Sequence, residues 1–525
     1  MRTMGQTVIL CGAADRRSLG KNAGGLRLVM EPAAEPVDFA LLDCFDRSLG
    51  NAGQLLIEAG GELILLRQDG ICCAQTAERR GNFAADLAPG PVRDALSSLS
   101  PLRSLLALGR GQMERQRASL RDDEDKTQAR VLLHRLRPAG GGNPVTLAEL
   151  QPLRGYDGAF DQLSRRVRGA GPSLELSALP KTLFPGCLRY DPKPAIPITP
   201  EMPAVRAATL IITAQIAVAR QNEPGVIADI DTEFLHDYRV SLRKIRSVLS
   251  LFKGVYASAQ TEVLKAGFSA LMEPTGRLRD LDVYLLERQM YFDLLPETLH
   301  PGLSAMFDMF ARERAAVLEQ LVKRFRSARY GREIGALEAL FATPERLEPG
   351  GMAGQPALAY ARRLIWKRYR KVCKIARAIH DGTPDHEVHA LRISCKKLRY
   401  LMEFFAPLFP AREMKKLIKP LKRLQDNLGL FNDFSVQQAS LRAFLDSHRA
   451  GDRDTDLAIA QSVGALIAVL HQRQTEERAR VLENFAGFDS PAVQAAFRDL
   501  FHVTTGPAEH GAEPEIALGS EEDHA

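Results

Sequence analysis

The sequence predicts a chain of two folded parts: a small β-rich domain, then an all-helical region built from a duplicated unit. Three observations predict it. Short apolar runs broken by turn residues fill Thr7 to about Arg137, apolar residues at helical spacing fill about Ala204 to about Val503, and a basic helix at 236–246 is copied 153 residues further on. The length of 525 residues allows two to four domains at roughly 100 to 200 residues each. Hydrophobic residues at 45% and charged residues at 26% exclude a chain disordered throughout.

In the first part, QLLIEAGGELILL reads as a hairpin turning at Ala59-Gly60-Gly61, and Asp69-Gly70 turns into ICCA. MERQRASLRDDEDKTQARVLLHRL reads as two strands joined by the acidic turn Asp122 to Asp125. After the loop from Ala139 to Pro144, LAELQPLRGYDGAFDQLSRRV reads as helix. Seven prolines between Pro180 and Pro203 predict an interdomain linker. Beyond it, helix breaks are expected at Asn222-Glu223-Pro224, Pro274-Thr275-Gly276 and Gly382-Thr383-Pro384. The boundaries expected are 1–178 for the β-rich domain, 179–203 for the linker, 204–503 for the helical domain with copies at about 204–350 and 355–503, and 504–525 for an acidic disordered tail.

Net charge is only +6, so its distribution carries the information. Residues 361–430 hold 18 basic and 6 acidic groups, a local excess of +12 that the total conceals. Seven cysteines without CxxC spacing imply neither a disulfide framework nor a zinc site. The N-terminus lacks a signal-peptide core, and the longest apolar stretch, about 207–219, is too short for a span of roughly 20 residues. The expected location is the cytoplasm.

The repeat is carried by HDYRVSLRKIR at 236–246 and HALRISCKKLR at 389–399, identical at five of eleven positions. The same offset pairs Phe252 with Phe405, Gly276 with Gly429, Asp280 with Asp433 and Val283 with Val436 without a gap. On a helix, His236, Arg239, Arg243 and Arg246 share one stripe, at about 0°, −60°, −20° and −80°, while Leu242, Ile245, Leu249 and Phe252 face a core. The second copy places His389, Arg392, Lys396 and Arg399 on the same stripe, with Lys397 flanking it as Lys244 does in the first. A solvated face intersperses acids at i+4, yet Glu262 is the one acid between Arg239 and Lys265, and Glu403 the one between Arg392 and Arg412.

Two further rows extend the pattern. Arg363, Lys367, Arg370, Lys374 and Arg377 recur every three or four residues, and Arg412, Lys415, Lys416, Lys419, Lys422 and Arg423 do the same. Converging rows would form a cationic groove that a polyanion neutralises. Leu210, Ala214 and Ala217 stand opposite Arg363, Lys367 and Arg370, so the groove should be strongest on the second copy.

At these residues the sequence resembles the CHAD family of histidine-containing α-helical domains, through the two His-x-x-Arg helices and the paired stretches Gly276 to Val283 and Gly429 to Val436. The resemblance spans about 201–503. It implies an all-α domain of two four-helix repeats about a pseudo-twofold axis, with a basic channel binding inorganic polyphosphate through His236, Arg239, Arg243, Lys244, Arg246, His389, Arg392, Lys396, Lys397, Arg399, Arg363, Lys367, Arg370, Lys374, Lys416, Lys419 and Arg423. It also implies association with polyphosphate granules. Ser435 departs from the pattern, since the first copy has Asp282 and a carboxylate able to orient a basic side chain is missing. Residues of about 1–175 resemble a degenerate CYTH domain, an α+β triphosphate-tunnel barrel, through LLDCFDRSLGNAGQLLIE and SLRDDEDKTQARVLLHRL. Its ExExK signature is absent, and GGLRLVMEP stands where the early strand is expected.

Rival readings are weaker. Nucleic acid also attracts Arg/Lys arrays, but only Trp366, Tyr369 and Tyr400 offer stacking. A metal role for His380, His386 and His389 with Asp381, Asp385 and Glu387 falters because HEVH is one residue short of the HExxH spacing. Cys395 beside Lys396 reads as a small core residue in preference to a reactive thiol. No P-loop or nucleophile elbow is present, so no catalytic residue, metal ligand or cofactor is assigned. A metal-dependent tri- or polyphosphate hydrolase is implied only if the CYTH-like domain is active.

Overall fold

The computed structural model describes residues 6–502 except 16, 21, 24, 187–189, 381 and 448–450. The expected tail at 504–525, Cys187 and Asp381 lie outside the described residues. The chain divides into two compact units, one of residues 1–194 with 217–241, the other of 195–216 with 242–525.

The first unit is built on ten strands: β1 (Gln6–Cys11), β2 (Asn22–Ala23), β3 (Leu26–Met30), β4 (Val37–Asp43), β5 (Gln54–Ala59), β6 (Glu62–Arg67), β7 (Gly70–Thr76), β8 (Leu106–Arg121), β9 (Thr127–Pro138) and β10 (Val145–Pro152). They form one antiparallel sheet in the order β1-β10-β9-β8-β4-β5-β6-β7, with β3 joined to β8 and β2, curled into a half-barrel. Curling brings the two ends together at one point, where Ile71 N donates to Thr7 Oγ1 at 3.2 Å. The hairpin expected at Ala59-Gly60-Gly61 is present. Ala59 pairs with Glu62, and Gly60 and Gly61 both take positive φ, 58° and 78°, as the tightest hairpin turn requires. The acidic turn is also present: Asp122 Oδ1 accepts from Glu124 N and Lys126 N at 3.1 and 2.9 Å, a local substitute for ladder bonds.

Short helices α1 (Ser48–Asn51), α2 (Pro91–Ala95) and α4 (Leu179–Leu183) and the longer α3 (Asp157–Gly169) cover the sheet. Phe160, Leu163 and Val167 of α3 pack against Val8, Leu120, Val131 and Leu150, each contributing about 1.5–3 kcal/mol by burial. Here the sequence reading needs correction, because LAELQP is strand β10 and the helix starts only at Asp157. Val145, Leu147, Ala148 and Leu150 are all buried, so a strand flanked on both sides shows no clean alternation.

The helices of the remaining chain are α5 (Ala204–Ile227), α6 (Thr232–Leu251), α7 (Ser258–Met272), α8 (Gly276–Leu286), α9 (Arg288–Asp293), α10 (His300–Phe325), α11 (Ala328–Ala342), α12 (Ala357–Arg377), α13 (Asp385–Phe404), α14 (Ala411–Ser447), α15 (Arg453–Ala479), α16 (Val481–Phe488) and α17 (Pro491–Phe501). Breaks occur at 273–275 and 378–384 as expected, but Pro224 lies inside α5. One missing N–H near a helix end is tolerable, and α5 terminates just beyond it in a Schellman motif. Asp229 is left-handed at φ 48°, Ile230 N reaches Gly225 O at 3.1 Å and Asp229 N reaches Val226 O at 3.2 Å. Gly225 is required there, since a Cβ would stand 2.0 Å from the Phe234 ring.

Segment 217–241 groups with the β strands through a buried ionic network. Arg103, 4% exposed, lies 3.8 Å from Asp46, 3.5 Å from Asp231 and 2.5 Å from Asp237. Asp231 caps α6 by accepting from Glu233 N at 3.0 Å, and Tyr190 donates to Asp237 at 2.7 Å while accepting from Asn222 Nδ2 at 2.9 Å.

The repeat governs the helical unit. Helices starting at 204, 232, 258, 300 and 328 recur at 357, 385, 411, 453 and 481, each 153 residues on. Three counterpart pairs at this offset meet one another: Pro203 bridges Pro356, Phe252 stacks on Phe405 at 4.8 Å and 10°, and Tyr284 Oη lies 3.5 Å from Gln437 O; a fourth, Arg243 and Lys396, lies close enough for its charges to repel. Where two copies are related by a twofold, residues that touch their own counterparts lie at its axis; the Pro203–Pro356 bridge is antiparallel, as a twofold requires, so these pairs trace the pseudo-twofold. Leu303, Phe307 and Phe310 of α10 pack with Val463, Leu466 and Leu470 of α15 beside it.

Candidate functional site

The axis carries a concentration of positive charge. Lys396, on α13, is half-buried beside Arg243 of α6 and Arg392 and Arg399 of its own helix. Burial first, then repulsion by these three guanidiniums, pushes the Lys396 ammonium down to about 8. Asp433 of α14 acts the other way, and it stands 3.9 Å from Arg392. Arg399 Nε lies 3.3 Å from Glu403 without the alignment of a hydrogen bond, and among the described residues no acceptor reaches the buried Arg243 Nε. Burial pushes the Tyr400 hydroxyl up, against the pull of Arg243 and Arg399.

Periodicity explains the arrangement. Leu391, Cys395, Leu398 and Met402 of α13 are buried, as are Tyr238, Leu242, Ile245 and Leu249 of α6, and this orientation turns each basic stripe the other way. Cys395 is a core residue whose thiol burial pushes up. His389 Nδ1 stands 2.6 Å from Asn432 Oδ1. With that oxygen accepting, Nε2 bears a proton only in the imidazolium form. Sequence reasoning missed Asn432. The repeat held the signal, since its counterpart is Arg279, a change from charge to amide beside the matched offset pair Asp280 and Asp433.

Of the expected site residues, Arg243, Arg392, Lys396 and Arg399 are brought together. Arg246 is half-buried nearer the far end of α6, with Nη1 3.7 Å from Met272 Sδ. His236, Arg239, Lys244 and Lys397 are half-buried along their stripes. Arg363, Lys367, Arg370 and Lys374 form an exposed row on α12, and Lys416, Lys419 and Arg423 an exposed row on α14. Arg377 continues the α12 row but is held by Asp489 through two 2.9 Å bonds. In the histidine cluster, Asp385 is bonded to Arg478 and Gln474, both at 3.0 Å.

The missing carboxylate at Ser435 has a structural counterpart. Asp282, 1% exposed, accepts from Arg314 Nε at 2.7 Å. The residue 153 beyond Arg314 is Ile467, so this acid and this base are replaced together.

In the first unit, a cleft of about 650 Å³ is lined by Asp15, Glu31, Glu114, Gln116, Arg135 and Arg137. Arg135 is fully engaged, donating at 2.6 Å to Ala14 O, Glu114 and Gln116. Asp15 accepts from Arg17 N and Ser18 N, both at 2.9 Å, and Asp125 pairs with Arg27 and Arg121. Glu114 is thus held by Arg135, and no group of three or more His, Cys, Asp or Glu side chains that could hold a metal ion occurs among the described residues, so the lining does not fit the divalent ion of a triphosphate tunnel. No helix is long and apolar enough to cross a membrane among the described residues.

Known proteins share parts of this architecture. Residues 210–442 match the family described as "CHAD domain". Two uncharacterised proteins, from two strains of Mycobacterium tuberculosis, are each 26% identical over 335 residues, which is 62% of this chain and 61% of theirs. The chain thus spans about three-fifths of the length of these curated relatives. Among solved structures, the crystal structure of the CHAD domain from the plant Ricinus communis aligns with TM-score 0.46 and 23% identity over 59% of this chain and 96% of that one. PptA from Streptomyces chartreusis aligns with TM-score 0.43 and 16% identity over 54% and 99%. The helical region carries a CHAD domain over residues 210–442, and the β half-barrel ahead of it is compatible with a CYTH-like domain.

Proposed function

We propose that the protein binds inorganic polyphosphate at the pseudo-twofold axis, through Arg243, Arg392, Lys396 and Arg399 with His389 and the flanking stripe residues, and that it associates in this way with polyphosphate granules. One observation carries the reading: a half-buried lysine is held close to three guanidiniums drawn from both copies of the repeat, with Asp433 beside Arg392 and Glu403 beside Arg399 offsetting only part of that charge. Such a cluster is strained until an anion enters, because each cation raises the cost of the others in a medium less polar than water. A bare chain of closely spaced phosphates supplies several charges within one narrow site and forms charge-assisted hydrogen bonds with guanidinium and ammonium donors. The CHAD domain, whose family is linked to polyphosphate, supports the same ligand.

Nucleic acid fits less well. Tyr400, the large aromatic beside the cluster among the described residues, is half-buried with its ring stacked against Phe404, which leaves little ring face for a base to stack upon. Competition of long-chain polyphosphate against single-stranded RNA of equal charge, on the full chain, tests the assignment. Polyphosphate should displace RNA at far lower concentration, with affinity falling steeply as salt rises. Equal or tighter RNA binding would replace polyphosphate by nucleic acid as the ligand.

A further inference from the structure

The exposed row on α12 is a second cationic feature, separate from the axial cluster. Arg363, Lys367, Arg370 and Lys374 are all exposed, and they fall within about 60° of one another around the helix. Arg363 lies over the Tyr360 ring at 5.5 Å. Among the described residues no carboxylate pairs with Lys367, Arg370 or Lys374. Four like charges along about 17 Å of helix repel one another, and a solvated face would relieve that with acids at i+4.

An acid-rich stretch of the chain follows directly on a helix packed at this row. Helix α17 packs on α12, with Arg362 Nε donating to Leu500 O at 3.2 Å and Tyr369 stacked on Phe497 at 3.9 Å. His502 then meets Trp366 edge-on, ring centroids 5.0 Å apart. Trp366 lies one turn from both Arg363 and Arg370, so the chain leaves α17 at the middle of the basic row. The segment 503–525 contains Glu509, Glu513, Glu515, Glu521, Glu522 and Asp523 and neither lysine nor arginine. Glu509 is seven residues beyond His502, a reach of up to about 23 Å, which covers the whole row.

We infer that the acidic segment 503–525 docks on the α12 row of Arg363, Lys367, Arg370 and Lys374 as a built-in anion. The contact is tethered, so its effective concentration is in the millimolar range or above, and its strength depends on ionic strength because both partners are exposed. Any soluble anion reaching this row competes with the segment.

The chain contains one tryptophan, and it flanks the row, so its emission reports occupancy without any added ligand. Iodide quenching of Trp366 would be compared in the full chain and in a variant with Glu509, Glu513, Glu515, Glu521 and Glu522→Gln and Asp523→Asn. Neutralising the segment should raise the quenching constant roughly twofold or more, since an uncovered basic row concentrates anions. In a background of Arg363, Lys367 and Arg370→Gln, the same neutralisation should change nothing. Equal quenching of the full chain and the acid-neutralised variant would overturn the inference, and so would a difference that persists after the row is removed. No polyphosphate enters this experiment, so its outcome is independent of the assignment at the axis.

Discussion

Lys396 is the residue at which stability and binding oppose each other. Its ammonium ordinarily titrates near 10.5 but is held near 8 in the folded chain by burial and by Arg243, Arg392 and Arg399. Between those two values the unfolded chain binds the extra proton, so stability rises with pH across that interval, and below it the charged lysine destabilises the fold. An anion at the axis favours the charged form, so ligand binding above pH 8 takes up a proton and affinity falls as pH climbs. Replacing Lys396→Met should therefore raise Tm at pH 7 by about 2–4 °C, while lowering polyphosphate affinity about tenfold or more, as expected for a lost charge-assisted bond. It should also flatten the pH dependence of affinity above 8. A thermal melt and a binding titration at several pH values check this, and a fall in Tm would show that Lys396 is already satisfied in the free protein. The basic character of this position was legible in the repeat, because one stripe was copied intact. Its proximity to Arg243 was not, because spacing places side chains on a face and does not say which face meets which.

At the scale of elements, the sequence exposed those features that local chemistry controls. The Gly60-Gly61 turn, the Asx-type turn at Asp122 and the breaks before α8 and α13 all arise from residues with restricted or unusual backbone preferences. It misled where burial overrode periodicity. Strand β10 has too many buried neighbours to alternate, and Pro224 survives in α5 because a Schellman ending and the Gly225–Phe234 contact fix that turn. The Asp282–Arg314 pair between α8 and α10 shows how the copies diverged without mutual damage. Replacing Arg314 by Ala should remove the charged hydrogen bond that Asp282, 1% exposed, accepts from Arg314 Nε, costing about 1–3 kcal/mol, with polyphosphate affinity unchanged. Denaturant unfolding of the variant measures the first and a titration the second. A loss of affinity comparable to that of Lys396→Met would place Arg314 in the ligand site.

For the whole molecule, the constant offset of 153 residues made the duplication legible, and the axis emerges from counterparts that touch. The grouping of 217–241 with the β strands could not be read, because Arg103 is bonded to Asp231 and Asp237, more than a hundred positions away, and each is an ordinary charge in its own neighbourhood. That grouping makes the full chain the proper sample for binding work. The β unit should release no phosphate from tripolyphosphate with Mg²⁺ or Mn²⁺, since Glu114 is engaged by Arg135 and Arg137 and no metal-holding cluster occurs among the described residues. Metal-dependent hydrolysis abolished by Glu114→Gln would contradict this. The central claim is that the two copies hold one ligand at the axis, and a double-mutant cycle tests it most directly. Polyphosphate affinity would be measured for the full chain, Arg243→Gln, Lys396→Gln and the double variant. If one ligand spans both residues, each single change weakens binding and the pair couples by about 0.5–3 kcal/mol. Strictly additive effects, or single variants that bind as the parent does, would mean that the axial cations do not share a ligand.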